Sequence, residues 1–172
     1  LYLNIWSPRA HSSADSEKLP VMFWIHGGGN TIGTANTYPA SGLAGGEQVV
    51  VVTINYRLGL LGWMSHPALR TQDRDPLDAS GNYANLDMIA ALRWVQRNIA
   101  AFGGDPGQVT IGGVSAGAAS VCMHLISPER TTGLLRTFDK DLEQTARLMA
   151  VDDIRRGAKS AGILKDADDR AR

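Results

Sequence analysis

Cysteine is almost missing from this chain: Cys122 is the single one in 172 residues. A disulfide framework within the chain is therefore excluded, because a bridge needs two. Net charge is missing as well, since 17 Lys and Arg offset 17 Asp and Glu. With no basic run, neither nucleic acid nor an anionic membrane surface has the clustered Lys and Arg that it requires in a partner. No apolar stretch approaches the roughly 18 to 20 residues of a bilayer span, so no membrane span is expected. The opening LYLNIWSP lacks the charged-then-apolar order of a secretory signal. These features together lean towards the cytoplasm, although a chain that starts without Met leaves a lost leader open.

What is present is unevenly spread. Residues 1–138 contain 18 charged residues, whereas the 34 residues from Asp139 to Arg172 contain 16, and all eleven aromatics precede Asp139. Composition thus divides the chain into an apolar, glycine-rich body, residues 1–138, and a charged tail, residues 139–172. In the tail, Leu142, Ala146, Met149, Val151, Ile154, Ala158 and Ala161 recur at helical spacing, broken by Gly157 and Gly162. It reads as one or two solvated helices, with a segment docking on a sheet edge as the alternative.

Within the body, Leu1 to Trp6, Val21 to Ile25, Val49 to Ile54 and Val109 to Ile111 have the β-branched and aromatic content of strands. VVVVTI does not alternate, so both its faces should be covered, as in a central strand of an α/β sheet. Met88, Leu92, Val95, Ile99 and Phe102 form one stripe of a helix from about Asn85 to Ala101, stopped by Gly103-Gly104-Asp105-Pro106. A small-residue helix follows Ser115 to about Ile126. Alternating strands and helices predict a mostly parallel sheet with flanking helices. Asp73, Asp75 and Asp78 resemble the start of a calcium loop, but Leu77 and the lack of a following glycine argue for a solvated loop. No metal or organic cofactor is expected.

Two glycine motifs carry the chemistry. Gly113-Val114-Ser115-Ala116-Gly117 fits G-x-S-x-G between a strand and a helix, which is the context of a strained nucleophile elbow. A helix starting there aims the Ala116 backbone N–H at developing negative charge. The alternative is a plain strand-to-helix turn with an incidental serine. His26-Gly27-Gly28-Gly29 follows directly on a buried strand, where glycines leave backbone N–H groups unobstructed, as in the loop that supplies oxyanion donors in esterases. The alternatives are a plain strand-ending turn and a phosphate-cradling loop, and the second fails because neither G-x-G-x-x-G nor a P-loop lysine and Ser/Thr is present.

The segments LYLNIWSP, PVMFWIHGGGN, VVVVTINYRLGLLGW, GNYANLDMIAALRWVQRNIAAFGGDP and VTIGGVSAGAASV, in this order, resemble the carboxylesterase type B family of α/β-hydrolases, which includes the cholinesterases. The resemblance covers most of residues 1–135. It implies the amino-terminal part of an α/β-hydrolase fold and a serine esterase acting on small-molecule carboxylic esters through an acyl-enzyme. Ser115 matches the family's nucleophile, and Gly28, Gly29 and Ala116 match its oxyanion donors. Val114 departs from the pattern where an acidic residue usually stands, and Asn30 replaces a common aromatic.

The family's order is Ser, then Asp or Glu, then His. After Ser115 the one histidine is His124, nine residues along the same helix and so about 13 to 14 Å away. It cannot serve as the base. His26 reads as a packing and hydrogen-bonding residue, His11 as solvated, and His66 as the least excluded substitute. A fragment of a longer esterase, a truncation joined to an unrelated tail, and a small variant with another base are the readings in order of preference. The competing class is an esterase-like interaction module without turnover. An uncovered sheet edge beside VVVVTI is expected to invite self-association. Cys122 reads as a small buried residue rather than a thiol catalyst.

Overall fold

The computed structural model describes residues 1–8, 17–69 and 80–126. His11, the Asp73 to Asp78 loop and the charged tail lie outside the described residues. Four strands form one sheet: β1 (Tyr2–Trp6), β2 (Leu19–Ile25), β3 (Val50–Asn55) and β4 (Gly104–Gly113), in the order β1-β3-β2-β4. β1 runs antiparallel to β3, while β2 is parallel to both β3 and β4. The helices are α1 (Ser41–Glu47), α2 (Gly59–Trp63), α3 (Tyr83–Asn98) and α4 (Ala116–Ile126). The sheet is thus mostly parallel, as the alternation of elements predicts.

Side-chain period explains the layers. In β3, residues 50 to 54 are all buried, so the unbroken valine run does mark a strand covered on both faces. Val50, Val52 and Ile54 join Val21, Phe23 and Ile25 of β2 in a core shared with Met88, Leu92 and Val95 of α3. Val51 faces the other way, with Ala40 and Ala44 beside α1. Three glycines in α1 hid that helix from the sequence pattern.

Two expectations need correction. The apolar stripe of α3 ends at Ile99, because a 3-10 turn over Ile99–Phe102 closes the helix and Gly103 caps it at φ 86°. Phe102 lies outside the core, 41% exposed, with its ring 6.0 Å from that of Trp94. The sheet edge is also not beside VVVVTI, since β3 is paired on both sides. Among the described residues the edges belong to β1 and β4.

Candidate active site

β4 ends at Gly113 and α4 begins at Ala116, so only Val114 and Ser115 make the turn. Ser115 makes it with φ 55°, a left-handed conformation that is unfavourable for any residue with a Cβ. Three hydrogen bonds hold it there: Val114 N–H donates to Ile25 O at 3.3 Å, Gly117 N–H to Val114 O at 2.9 Å, and Ala119 N–H to Ser115 O at 3.0 Å. The flanking glycines are needed for space. A Cβ on Gly113 would sit 2.6 Å from the Gly117 carbonyl carbon, and one on Gly117 would overlap the carbonyls of Ile25 and His26. Ser115 is exposed, and among the described residues no hydrogen bond engages its side chain.

The glycine loop after β2 lies against this turn. A Cβ on Gly27 would meet Val114 O at 2.7 Å and the Ser115 Cβ at 3.1 Å, so the loop and the serine are in direct contact. Gly28, Gly29 and Asn30 follow with φ of 115°, 61° and 62°. Among the described residues, the backbone N–H groups of Gly28, Gly29 and Ala116 have no acceptor. Their carbonyl neighbours are held instead. His26 Nδ1 lies 2.7 Å from Gly27 O, and because a carbonyl only accepts, that nitrogen carries the proton. Gly28 O accepts from the N–H groups of Thr31 and Ile32, both at 3.1 Å, and from the Thr31 hydroxyl at 3.2 Å.

A peptide unit is planar, with its C=O and N–H pointing in opposite directions. Holding Gly27 O therefore orients the Gly28 N–H, and holding Gly28 O orients the Gly29 N–H. The structure brings Ser115 together with the loop that carries Gly28 and Gly29, and starts α4 at Ala116. Two hollows, one lined by Met22, Trp24, Tyr38 and Val51 and the other by Tyr2, Ile54, Ala91 and Trp94, include none of these residues.

None of the described histidines hydrogen-bonds to Ser115. His26 is buried against Tyr56, ring centroids 4.4 Å apart. His66 is exposed and accepts from Ala68 N–H at 3.2 Å. His124 is buried with Nε2 3.5 Å from Met88 Sδ, and burial pushes its imidazole down to about 4. Cys122, expected to be buried, is only partly so.

The sequence reading missed the end of β3 and the segment that follows it. Asn55 Oδ1 accepts from Ala35 N–H at 3.0 Å, Tyr56 Oη donates to His26 O at 2.8 Å, and Gly59 N–H donates to Asn30 O at 2.7 Å. Arg57 anchors the segment to α3 through a bidentate pair with Asp87, Nε to Oδ2 at 2.9 Å and Nη2 to Oδ1 at 2.8 Å. The only signal was Asn-Tyr-Arg directly after a buried strand. Among the described residues no His, Cys, Asp and Glu cluster could hold a metal, and no helix is long and apolar enough to cross a membrane.

Comparison with known proteins gives the family. The model of the Carboxylesterase family matches residues 1–140. Cocaine esterase of Oryctolagus cuniculus is 59% identical over 128 residues, 74% of this chain and 22% of that protein. Fumonisin B1 esterase of Sphingopyxis macrogoltabida is 51% identical over 130 residues, 74% of this chain and 23% of that one. A solved PNB esterase superimposes with a TM-score of 0.68 at 42% identity, covering 78% of this chain and 27% of its own. The chain spans about a fifth of the length of the curated relatives it matches.

Proposed function

Because the chain belongs to the carboxylesterase family, with the partial α/β-hydrolase fold of its structural neighbours, we propose that it carries the nucleophile and oxyanion part of a serine carboxylic-ester hydrolase. Ser115 Oγ attacks the ester carbonyl carbon, and the carbonyl oxygen, now negative, is received by the N–H groups of Gly28, Gly29 and Ala116. Collapse breaks the bond to the alcohol oxygen and leaves an acyl group on Ser115, which water removes by the reverse sequence. The proton leaves Ser115 for a base that then delivers it to the departing alcohol. We assign that base to none of the described histidines. No cofactor is invoked in these steps.

The observation that carries the reading is the contact of the Ser115 turn with a loop whose free N–H groups are oriented from behind. Such donors need no reorganisation when charge develops, and one of them is worth about 10²- to 10³-fold in rate. The named relatives, a cocaine esterase and a fumonisin B1 esterase, support an ester as substrate class and no single ester within it.

A fluorophosphonate probe tests the proposal. The wild-type chain should be labelled at Ser115, and the Ser115→Ala variant should not. Hydrolysis of p-nitrophenyl butyrate at equal rates by both proteins would refute the role of Ser115. Absence of labelling in a folded wild-type chain would instead favour the competing class, an esterase-like module without turnover.

A further inference from the structure

We propose that Tyr56 is a positioning residue for the oxyanion loop, acting through His26 to aim the Gly28 N–H; this rests on the assignment of Gly28 as an oxyanion donor. The relay has two contacts in series. The Tyr56 hydroxyl donates to His26 O at 2.8 Å, and its ring stacks on the imidazole at 4.4 Å and 17°. His26 Nδ1–H then holds Gly27 O at 2.7 Å, on the far side of the peptide whose N–H belongs to Gly28. His26 is 1% exposed and Tyr56 is 3% exposed, so water does not compete for either bond.

The rest of the arrangement leaves the imidazole little freedom. Its Nε2 is buried and has no partner among the described residues, so the Gly27 bond is the hydrogen bond that these residues give the ring, beside its stacking on Tyr56. Gly33 closes the other side: a Cβ there would lie 2.5 Å from both Gly27 O and His26 Nδ1. Burial, with the neighbouring Tyr38, raises the Tyr56 hydroxyl above its ordinary pKa. It therefore remains a protonated donor throughout the pH range in which an esterase would act. Tyr56 is itself held by its chain neighbours, since Arg57 is paired with Asp87 on α3 and Asn55 is bonded to Ala35.

The test uses the full chain, Tyr56→Phe, which removes the hydroxyl and keeps the ring, and Gly33→Ala, which disturbs the next contact of the relay, His26 to Gly27. Two readouts are taken: ¹⁵N order parameters of the Gly28 and Gly29 N–H vectors, and the rate of fluorophosphonate labelling at Ser115. In Tyr56→Phe the Gly28 order parameter should fall from the rigid range, about 0.85, towards about 0.6, with α3 and β4 unchanged. Labelling should slow about tenfold, the effect of losing one buried hydrogen bond. Gly33→Ala, which disturbs the Gly27 contact and leaves the Tyr56 hydroxyl in place, should loosen Gly28 as well; the part of Tyr56 itself is decided by Tyr56→Phe, or by Tyr56→Leu if Tyr56→Phe does not fold. An unchanged Gly28 order parameter in the Tyr56 variant overturns the proposal, as does loosening spread evenly over β2, β3 and α3. If the wild type is not labelled, the assignment of Ser115 fails, and the order parameters still decide whether Tyr56 holds the loop.

Discussion

Ser115 stands in a conformation that costs on the order of 1–3 kcal/mol for a residue with a Cβ. The position of this residue was legible, because a strand, two small flanking residues and a helix start are all local features. The reason it tolerates φ 55° was not, since the bonds that hold it come partly from Ile25, ninety positions earlier in the chain. His124 shows the opposite limit. Its sequence context said only that it is too far along α4 to act on Ser115, and its burial is a tertiary fact. With its imidazole at about 4 instead of 6.5, the unfolded chain binds a proton that the folded chain refuses between those values. Stability should therefore be complete above about pH 6.5 and fall by about 3 kcal/mol as the pH drops to about 4. His124→Gln should lose that share of the pH dependence. Denaturant midpoints at pH 7 and pH 4.5 measure it, and equal slopes in both proteins would disprove the assignment.

At the scale of elements, the site exists because β2, β4 and α4 approach more closely than side chains allow. Ile25 pairs with Gly113 in the parallel register, and Gly117 brings the first turn of α4 onto the carbonyls at the end of β2. Gly117→Ala should thus force α4 away from β2 and destabilise by about 1–3 kcal/mol or more, with labelling of Ser115 lost in proportion. Gly45→Ala is the contrasting change, because nothing lies within 4 Å of a Cβ there. It sits inside α1 and should stabilise by roughly 0.5–1 kcal/mol. Thermal melts of both variants test the pair; equal shifts would mean that space at Gly117 is not limiting. Strand β3 and helix α3 were readable from their hydrophobic periods. Helix α2, five residues long, is shorter than any period can reveal.

For the whole molecule, neutrality was a composite of two unlike parts, and the described body has an open edge where β4 pairs only with β2 among the described residues. An edge strand with one open side is a template for a second chain. Light scattering should show the apparent mass rising with concentration, and a constant monomer mass across the range would remove the edge as an association site. What the sequence alone determined is everything written in short-range patterns: the four strands, helices α3 and α4, the serine turn, the glycine loop and hence the family. Local spacing is enough for these, because backbone propensity and side-chain period act within a few residues. The tertiary structure alone decided the strand order β1-β3-β2-β4, the edge at β4 and the support of the glycine loop by the residues after β3. Those depend on pairings between positions far apart in the chain, such as Tyr56 with His26 and Arg57 with Asp87, and no local pattern records which distant carbonyl a buried hydroxyl will find.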